Sequence, residues 1–306
     1  MTLTRRQLCG ALAGAGAAAL VCTATPASAA TLPVSHNYVV STAIGSAAPD
    51  SPPPGANVAG CTSATHPVPV VLVHGTYENE NGNWRGISPL LKDNGYCVYT
   101  LNYGGTPGNP AQGTGDIPTS AAQLGAFVDS VLQSTGAHRV DIVGHSQGGM
   151  MPRYYINFLG GAPKVHTLVG LNPSNHGTTL DGAVTLANAV GLPPSAALGV
   201  AAQQQQVGSS FMSKLNASGD TRPGIDYTVI ATRNDEVVTP YRSSFLTAGA
   251  GATVTNITLQ QQCLLDQGDH LSTPFDSVAM ADVLNALDPQ HRVPVPCVPV
   301  FPGVGG

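Results

Sequence analysis

The sequence predicts an α/β fold: a doubly wound, mostly parallel sheet with helices on both faces. Two observations carry that expectation. Short, continuous apolar runs rich in β-branched residues recur along the chain, as in strands buried on both faces. Between them lie apolar residues at helical spacing, and strand–helix alternation over such a length implies a parallel sheet wound twice. The composition permits a large core. The chain has 306 residues, 42% hydrophobic and only 9% charged, with 36 glycines and 25 prolines. So few charges argue against Glu/Lys-rich coiled coils. A formal net charge of −5 with 12 Lys plus Arg argues against a nucleic-acid binder, which needs a basic surface to displace counterions. The apolar content argues against charge-driven disorder.

Residues 1–29 read as an export signal. Arg5 and Arg6 precede a short Ala/Gly-rich run from Leu8 to Cys22, and Ala27-Ser28-Ala29 fits a small-residue cleavage site. Thr4-Arg5-Arg6-Gln7-Leu8 is similar to a twin-arginine signal. Cleavage after Ala29 would leave 277 residues and, with both arginines gone, a formal charge of −7. No later segment approaches the roughly 18 apolar residues of a membrane-spanning helix. A secreted protein is therefore expected. Of the six cysteines, Cys9 and Cys22 leave with the signal. Cys61, Cys97, Cys263 and Cys297 then form two disulfides in one of three pairings. Cys61–Cys97 and Cys263–Cys297 are favoured because each encloses a local segment. No two Cys or His stand at zinc-like spacing with a matching pair, so no metal and no cofactor are expected.

Residues 30–60 are rich in Pro, Ala, Ser and Gly and read as an extended lead-in. The main domain follows over 61–290. Its first strand is the run Val68–Val73, and further strands are expected at Cys97–Leu101, Val140–Val143, Val165–Leu171, Tyr227–Ala231 and Val254–Leu259. Leu124, Phe127, Val128, Val131 and Leu132 share one face of a helix, as do Val283, Leu284 and Leu287 near the end of the domain. Residues 176–224 break the alternation and read as a small cap-like insertion above the sheet. Residues 291–306 are a Pro-rich tail, and there is no internal repeat.

Gly144-His145-Ser146-Gln147-Gly148 fits G-x-S-x-G, and its context strengthens it: a strand enters from Val140 and a helix leaves over Met150–Leu159. Ser146 then sits on a sharp turn at the carboxyl edge of the sheet, where α/β proteins bind ligands. The helix start beside it favours developing negative charge. A serine nucleophile needs a base and an orienting acid, which follow such an elbow in the order acid, then histidine. His270, in the loop after the last strand, is the candidate base. His166 enters a strand, His176 precedes any strand-end acid, and His291 lies in the tail. Asp235 ends the preceding strand and is the candidate acid. Glu236 is expected to be its solvated neighbour, and Asp226 lies at the wrong end of the strand. Asp266 and Asp269 are too near His270 in sequence to orient it, and one of them is expected as a surface charge. The oxyanion donors are expected at the backbone N–H of Gln147 and at Thr76, whose hydroxyl can also donate. His74, His145 and His176 read as packing or hydrogen-bonding residues.

With these stretches the chain resembles the exported class-two bacterial lipases of the α/β-hydrolase superfamily, the actinobacterial members especially. The resemblance rests on Val70-Val71-Leu72-Val73-His74-Gly75-Thr76, on residues 144–150, on Asn172-Pro173-Ser174-Asn175-His176-Gly177-Thr178, on residues 231–240 and on Asp269-His270. It covers roughly residues 61–290. It implies the α/β-hydrolase fold and hydrolysis of carboxylic esters of lipids, triacylglycerols among them. Ser146, Asp235 and His270 would form the triad, with Thr76 and Gln147 as oxyanion donors. Some related lipases bind calcium, but no run of acids here has calcium-loop spacing. The expected partner is an ester or lipid substrate, with transient contact between the apolar insertion and a lipid surface, and the chain is expected to be a monomer. A short-chain carboxylesterase, a polyester hydrolase or an acyltransferase would share the same triad. A catalytically inactive binding protein is disfavoured, because all three triad residues are present in order.

Overall fold

The computed structural model describes residues 30–306; the expected signal peptide and Cys9 and Cys22 lie outside the described residues. Six strands form one sheet: β1 (Val70–Val73), β2 (Val98–Leu101), β3 (Val140–His145), β4 (Val165–Leu171), β5 (Asp226–Ala231) and β6 (Thr253–Thr258). Their order is β2-β1-β3-β4-β5-β6, and every neighbouring pair is parallel. The chain winds outward from β1 to β2, then returns to the other side of β1 with β3. That reversal opens a crevice between the carboxyl ends of β1 and β3.

Ten helices accompany the sheet among the described residues: α1 (Tyr38–Ala47), α2 (Glu80–Asn83), α3 (Ile87–Asp93), α4 (Ile117–Thr135), α5 (Gln147–Phe158), α6 (Leu180–Ala189), α7 (Val200–Gln204), α8 (Ser210–Ala217), α9 (Leu259–Gln262) and α10 (Ser277–Leu287). Alternation along β1 shows how the layers form. Val71 and Val73 face a core built with α4, α5 and α8. Val70 and Leu72 face a second core built with α3 and α10. Helix α4 illustrates the local logic. Asp116 caps it by accepting the Thr119 N–H, Ile117, Ala121, Leu124, Val128 and Val131 are buried along one stripe, and Gly136 ends it in the left-handed conformation.

Three segments differ from expectation. The lead-in 30–60 is not extended throughout, because it holds α1. The buried stripe of α1 is Tyr38, Ser41 and Gly45, while Val39, Val40 and Ile44 face outward. The helix approaches α2 so closely that a Cβ at Gly45 would lie 2.5 Å from the Gly82 backbone. The insertion is also shorter than 176–224. Helix α8 buries Phe211, Met212 and Leu215 in the core beneath the sheet, so the cap proper is α6, a 3₁₀ turn at Pro194–Leu198 and α7. A bridge between Thr178 and Gln206 closes its neck. Finally, the tail folds back. The Gln267 N–H donates to Val300, the Tyr38 N–H to Val304 and the Ser277 N–H to Gly306.

Disulfides join Cys61 to Cys97 and Cys263 to Cys297. The second ties the segment after α9, which leads to His270, to the returning tail. In the chain-entropy view each loop of this size contributes about 3–4 kcal/mol. Replacing Cys263 and Cys297 together by serine is expected to lower the unfolding free energy by about that amount. Urea unfolding of the variant beside the native protein measures it.

Candidate active site

Ser146 stands between β3 and α5 with φ 55° and ψ −121°, a conformation that costs a non-glycine residue on the order of 1–3 kcal/mol. The flanking glycines explain how the turn is accommodated. A Cβ on Gly144 would run into the Gly148 carbonyl, and one on Gly148 into the Val73 and His74 carbonyls. The Ser146 N–H is held by the Leu171 carbonyl at 2.9 Å. The elbow therefore rests on both neighbouring strands.

The predicted residues converge on this point. Ser146 Oγ lies 2.9 Å from His270 Nε2, and His270 Nδ1 lies 3.0 Å from both carboxylate oxygens of Asp235. The side chains of His270 and Asp235 are fully buried. Asp235 Oδ1 also accepts the Val237 and Val238 N–H groups, at 2.9 and 2.7 Å. Burial alone would lower the pKa of His270, but the charge and hydrogen bond of Asp235, with Glu236 and Glu78 nearby, leave it raised above the ordinary histidine value. The imidazole is thus arranged to take a proton at Nε2 while Asp235 stabilises the resulting cation.

Thr76 follows β1 across the crevice, and Gln147 opens α5. Among the described residues, no other protein group engages the backbone N–H of either one. They are two unengaged donors of the kind an oxyanion requires, the Gln147 N–H at a helix start. The cavity that Thr76 shares with Ser146 is nearly shut, at about 10 Å³, room for one water at most. Its walls include Ala183, Leu186 and Ala202 of the cap with Val237 and Val238.

Several side chains behave otherwise than expected. Glu236 is half-buried rather than solvated, and its Oε2 lies 3.4 Å from the His270 N–H it accepts. Neither Asp266 nor Asp269 is a surface charge. Asp269 accepts the N–H groups of Ser272 and Gly303, and so joins the His270 loop to the tail. Asp266 is fully buried, as is Asp276. Burial, then the neighbouring Asp266, pushes the Asp276 carboxyl up to about 8, so this pair shares a proton beneath the His270 loop. His74 and His145 are buried and hydrogen-bonded. His176 bonds the Ser243 carbonyl and Asp220, and His166 pairs with Asp141. His291 is exposed against Asp288, and Asp226 begins β5 exposed.

Sequence reasoning missed Glu78. It lies buried under the elbow, its Oε2 2.8 Å from His145 Nδ1 and 3.2 Å from the Gly75 N–H. His145 Nε2 in turn donates to the His270 carbonyl at 2.9 Å. This chain of bonds links the loop after β1, the elbow and the His270 loop. The signal was an acid two residues beyond Thr76, in a stretch otherwise read only for its oxyanion donor.

Residues 67–280 match the model of the family described as Lipase (class 2). A triacylglycerol lipase of Burkholderia plantarii is 39% identical over 105 residues, 32% of this chain and 28% of that protein. One from Pseudarthrobacter phenanthrenivorans is 38% identical over 99 residues, 30% of this chain and 29% of that protein. The matched stretch thus spans under a third of the length of these relatives. Among solved structures, Aspergillus fumigatus lipase B covers 82% of this chain and 58% of its own, with TM-score 0.63 and 20% identity. Mature Bacillus licheniformis lipase BlEst2 covers 78% of this chain and 94% of its own, with TM-score 0.55 and 17% identity. At these identities the two structures speak to the fold alone, which is the α/β-hydrolase fold.

The Asp266–Asp276 pair has a pH consequence. The folded value of Asp276 lies above its ordinary 3.8, so the folded state keeps a proton that the unfolded chain releases. The resulting stability is complete below about pH 4 and is lost as pH rises toward 8. Asp276→Asn keeps an acceptor for the Val278 N–H that caps α10 and removes the titration. Its unfolding free energy, followed by urea titration, is expected to fall less steeply between pH 4 and 8 than that of the native protein. At pH 8–9 the variant should be the more stable, by on the order of a few kcal/mol.

Proposed function

The chain belongs to the Lipase (class 2) family, and from that membership we propose that it is an exported lipase that cleaves carboxylic esters of lipids, triacylglycerols among them, with Ser146 as nucleophile, His270 as base and Asp235 as its orienting acid. The observation that carries this reading is the continuous contact from Ser146 Oγ through His270 to Asp235, at 2.9 and 3.0 Å, at the crevice where the strand order reverses. Two disulfides support an exported protein.

In the proposed reaction His270 Nε2 takes the proton of Ser146 Oγ as that oxygen bonds to the ester carbonyl carbon. Asp235 stabilises the imidazolium. The carbonyl oxygen gains negative charge and is met by the Gln147 N–H and by Thr76, with its N–H and hydroxyl. Collapse breaks the bond to the alcohol, which leaves with the proton from His270. Water then enters, gives a proton to His270, and releases the acid from Ser146 by the same steps in reverse order.

Ser146→Ala is expected to retain the unfolding midpoint and to lose at least about 10³-fold in ester hydrolysis. Substantial turnover by the pure, folded variant would overturn the assignment.

The narrow cavity favours a second reading, a carboxylesterase for short acyl chains. Rates against a series of esters from acetyl to long-chain acyl, taken below and above the solubility limit, separate the two. The lipase reading expects long-chain turnover that rises once an emulsion forms. A preference for acetyl and butyryl esters without that rise would replace it by the esterase.

A further inference from the structure

Gln205 follows α7 at the base of the cap, yet its side chain reaches the candidate reaction centre. It is buried and lines the cavity with Thr76 and Ser146. Its Nε2 lies 2.9 Å from Thr76 Oγ1, and Gln147 Nε2 lies 2.7 Å from the same atom. Backbone carbonyls fix which way both amides face. Gln147 Nε2 is also 2.8 Å from the Gly113 carbonyl, and Gln205 Nε2 is 3.3 Å from that of Ala201. Carbonyls only accept, so the atoms turned toward them, and toward Thr76, are the NH₂ groups. The other end of Gln205 is held by Ser174, whose hydroxyl donates to Oε1 at 2.8 Å.

A hydroxyl oxygen offers two lone pairs and one hydrogen. On Thr76 both lone pairs are taken by amide N–H groups, one from the elbow side and one from the cap. The remaining tetrahedral direction belongs to the hydrogen, and no protein acceptor among the described residues receives it.

We propose that Gln205 is a positioning residue that turns the Thr76 hydroxyl hydrogen into the cavity, where it meets the oxyanion. The proposal rests on the reading of Thr76 and Ser146 given above. A donor fixed before the reaction requires no reorganisation when the charge appears. With the Gln205 amide absent, one lone pair on Thr76 becomes free and the hydroxyl can rotate away. The cap is then more than a cover: its seating against Ser174 and Thr76 completes the oxyanion site.

The test compares Gln205→Met, Thr76→Val and the double variant on one soluble ester. Methionine fills the same space and cannot donate. Complete loss of an oxyanion donor typically costs about 10²–10³ in rate, so misdirecting one is expected to lower kcat by about tenfold, with KM changed less than about twofold. Affinity for a trifluoromethyl ketone, which forms a tetrahedral adduct, falls in step with kcat/KM. In the Thr76→Val background Gln205→Met costs less than about twofold further. In the Thr76→Ser background, which keeps the hydroxyl, it costs as much as in the native protein. Gln205→Glu loses more than Gln205→Met, because a carboxylate would accept the Thr76 hydrogen and draw it out of the cavity. Native kcat in Gln205→Met, a change confined to KM, or multiplied losses with Thr76→Val would each overturn the proposal. If Thr76→Val does not fold, the Gln205→Met, Gln205→Glu and Thr76→Ser comparisons decide it alone. A native protein without any esterase activity would instead overturn the functional reading on which the proposal rests.

Discussion

The positive-φ turn at Ser146 is the constraint around which the rest of the structure is arranged. A serine held there is strained, and the strain persists because the surroundings leave no alternative. The end of β3 is gripped between β1 and β4, with Val73 in register with Gly144 on one side and His145 with Leu171 on the other. Side chains are excluded at Gly144 and Gly148 by carbonyls already in place. The short turn projects Oγ beyond the sheet edge and starts α5 directly behind it. One backbone geometry thus supplies both the serine hydroxyl facing the cavity and the helix terminus that favours negative charge.

The other groups come from distant loops, and buried polar bonds add to the apolar cluster of Tyr77, Val237, Val238, Leu271 and Phe275 in holding those loops together. Asn172 donates to Thr273 and accepts the Thr232 N–H. Thr232 donates to the Gly268 carbonyl. Glu78 and His145 reach the His270 carbonyl from below. Arg153 of α5, almost wholly buried, gathers Asn175, Asn216 and Asp220. Such groups are costly to bury unless satisfied, and their pairing fixes the loops in one arrangement. The stretch Asn172–Thr178 belongs to this lattice through Asn172, Ser174, Asn175 and His176, and Ser174 also lines the cavity beside Ser146.

Much of this was legible in the sequence where the signal was local. Apolar runs marked all six strands to within a few residues, and the Gly-flanked Ser146 with Asp235 and His270 in order named the residues that meet in space. Illegible parts depended on what packs across a gap. Helix α1 buries Tyr38, Ser41 and Gly45, a stripe with little apolar content, because the partner it meets is the backbone around Gly82. Glu78 and Asp276 drew no attention, and Asp266 stood as one of two candidate surface charges, since charge alone does not reveal that a histidine, or a second carboxyl, will lie against a buried acid. Helix α8 looked like cap because it follows the cap directly, but Phe211, Met212 and Leu215 find their neighbours under the sheet.

The Thr178–Gln206 bridge gives the cap the character of a module. Its two stems leave the domain side by side, so the distance the insertion must span does not depend on what lies between them. Closing a longer or shorter loop on such a stem changes the entropy of folding only slowly with length. Lineages could therefore exchange or rebuild the segment between the stems, and with it the walls contributed by Ala183, Leu186 and Ala202, while the sheet stays undisturbed. Gln205 sits at the stem rather than the tip, inside the part that such an exchange would leave in place.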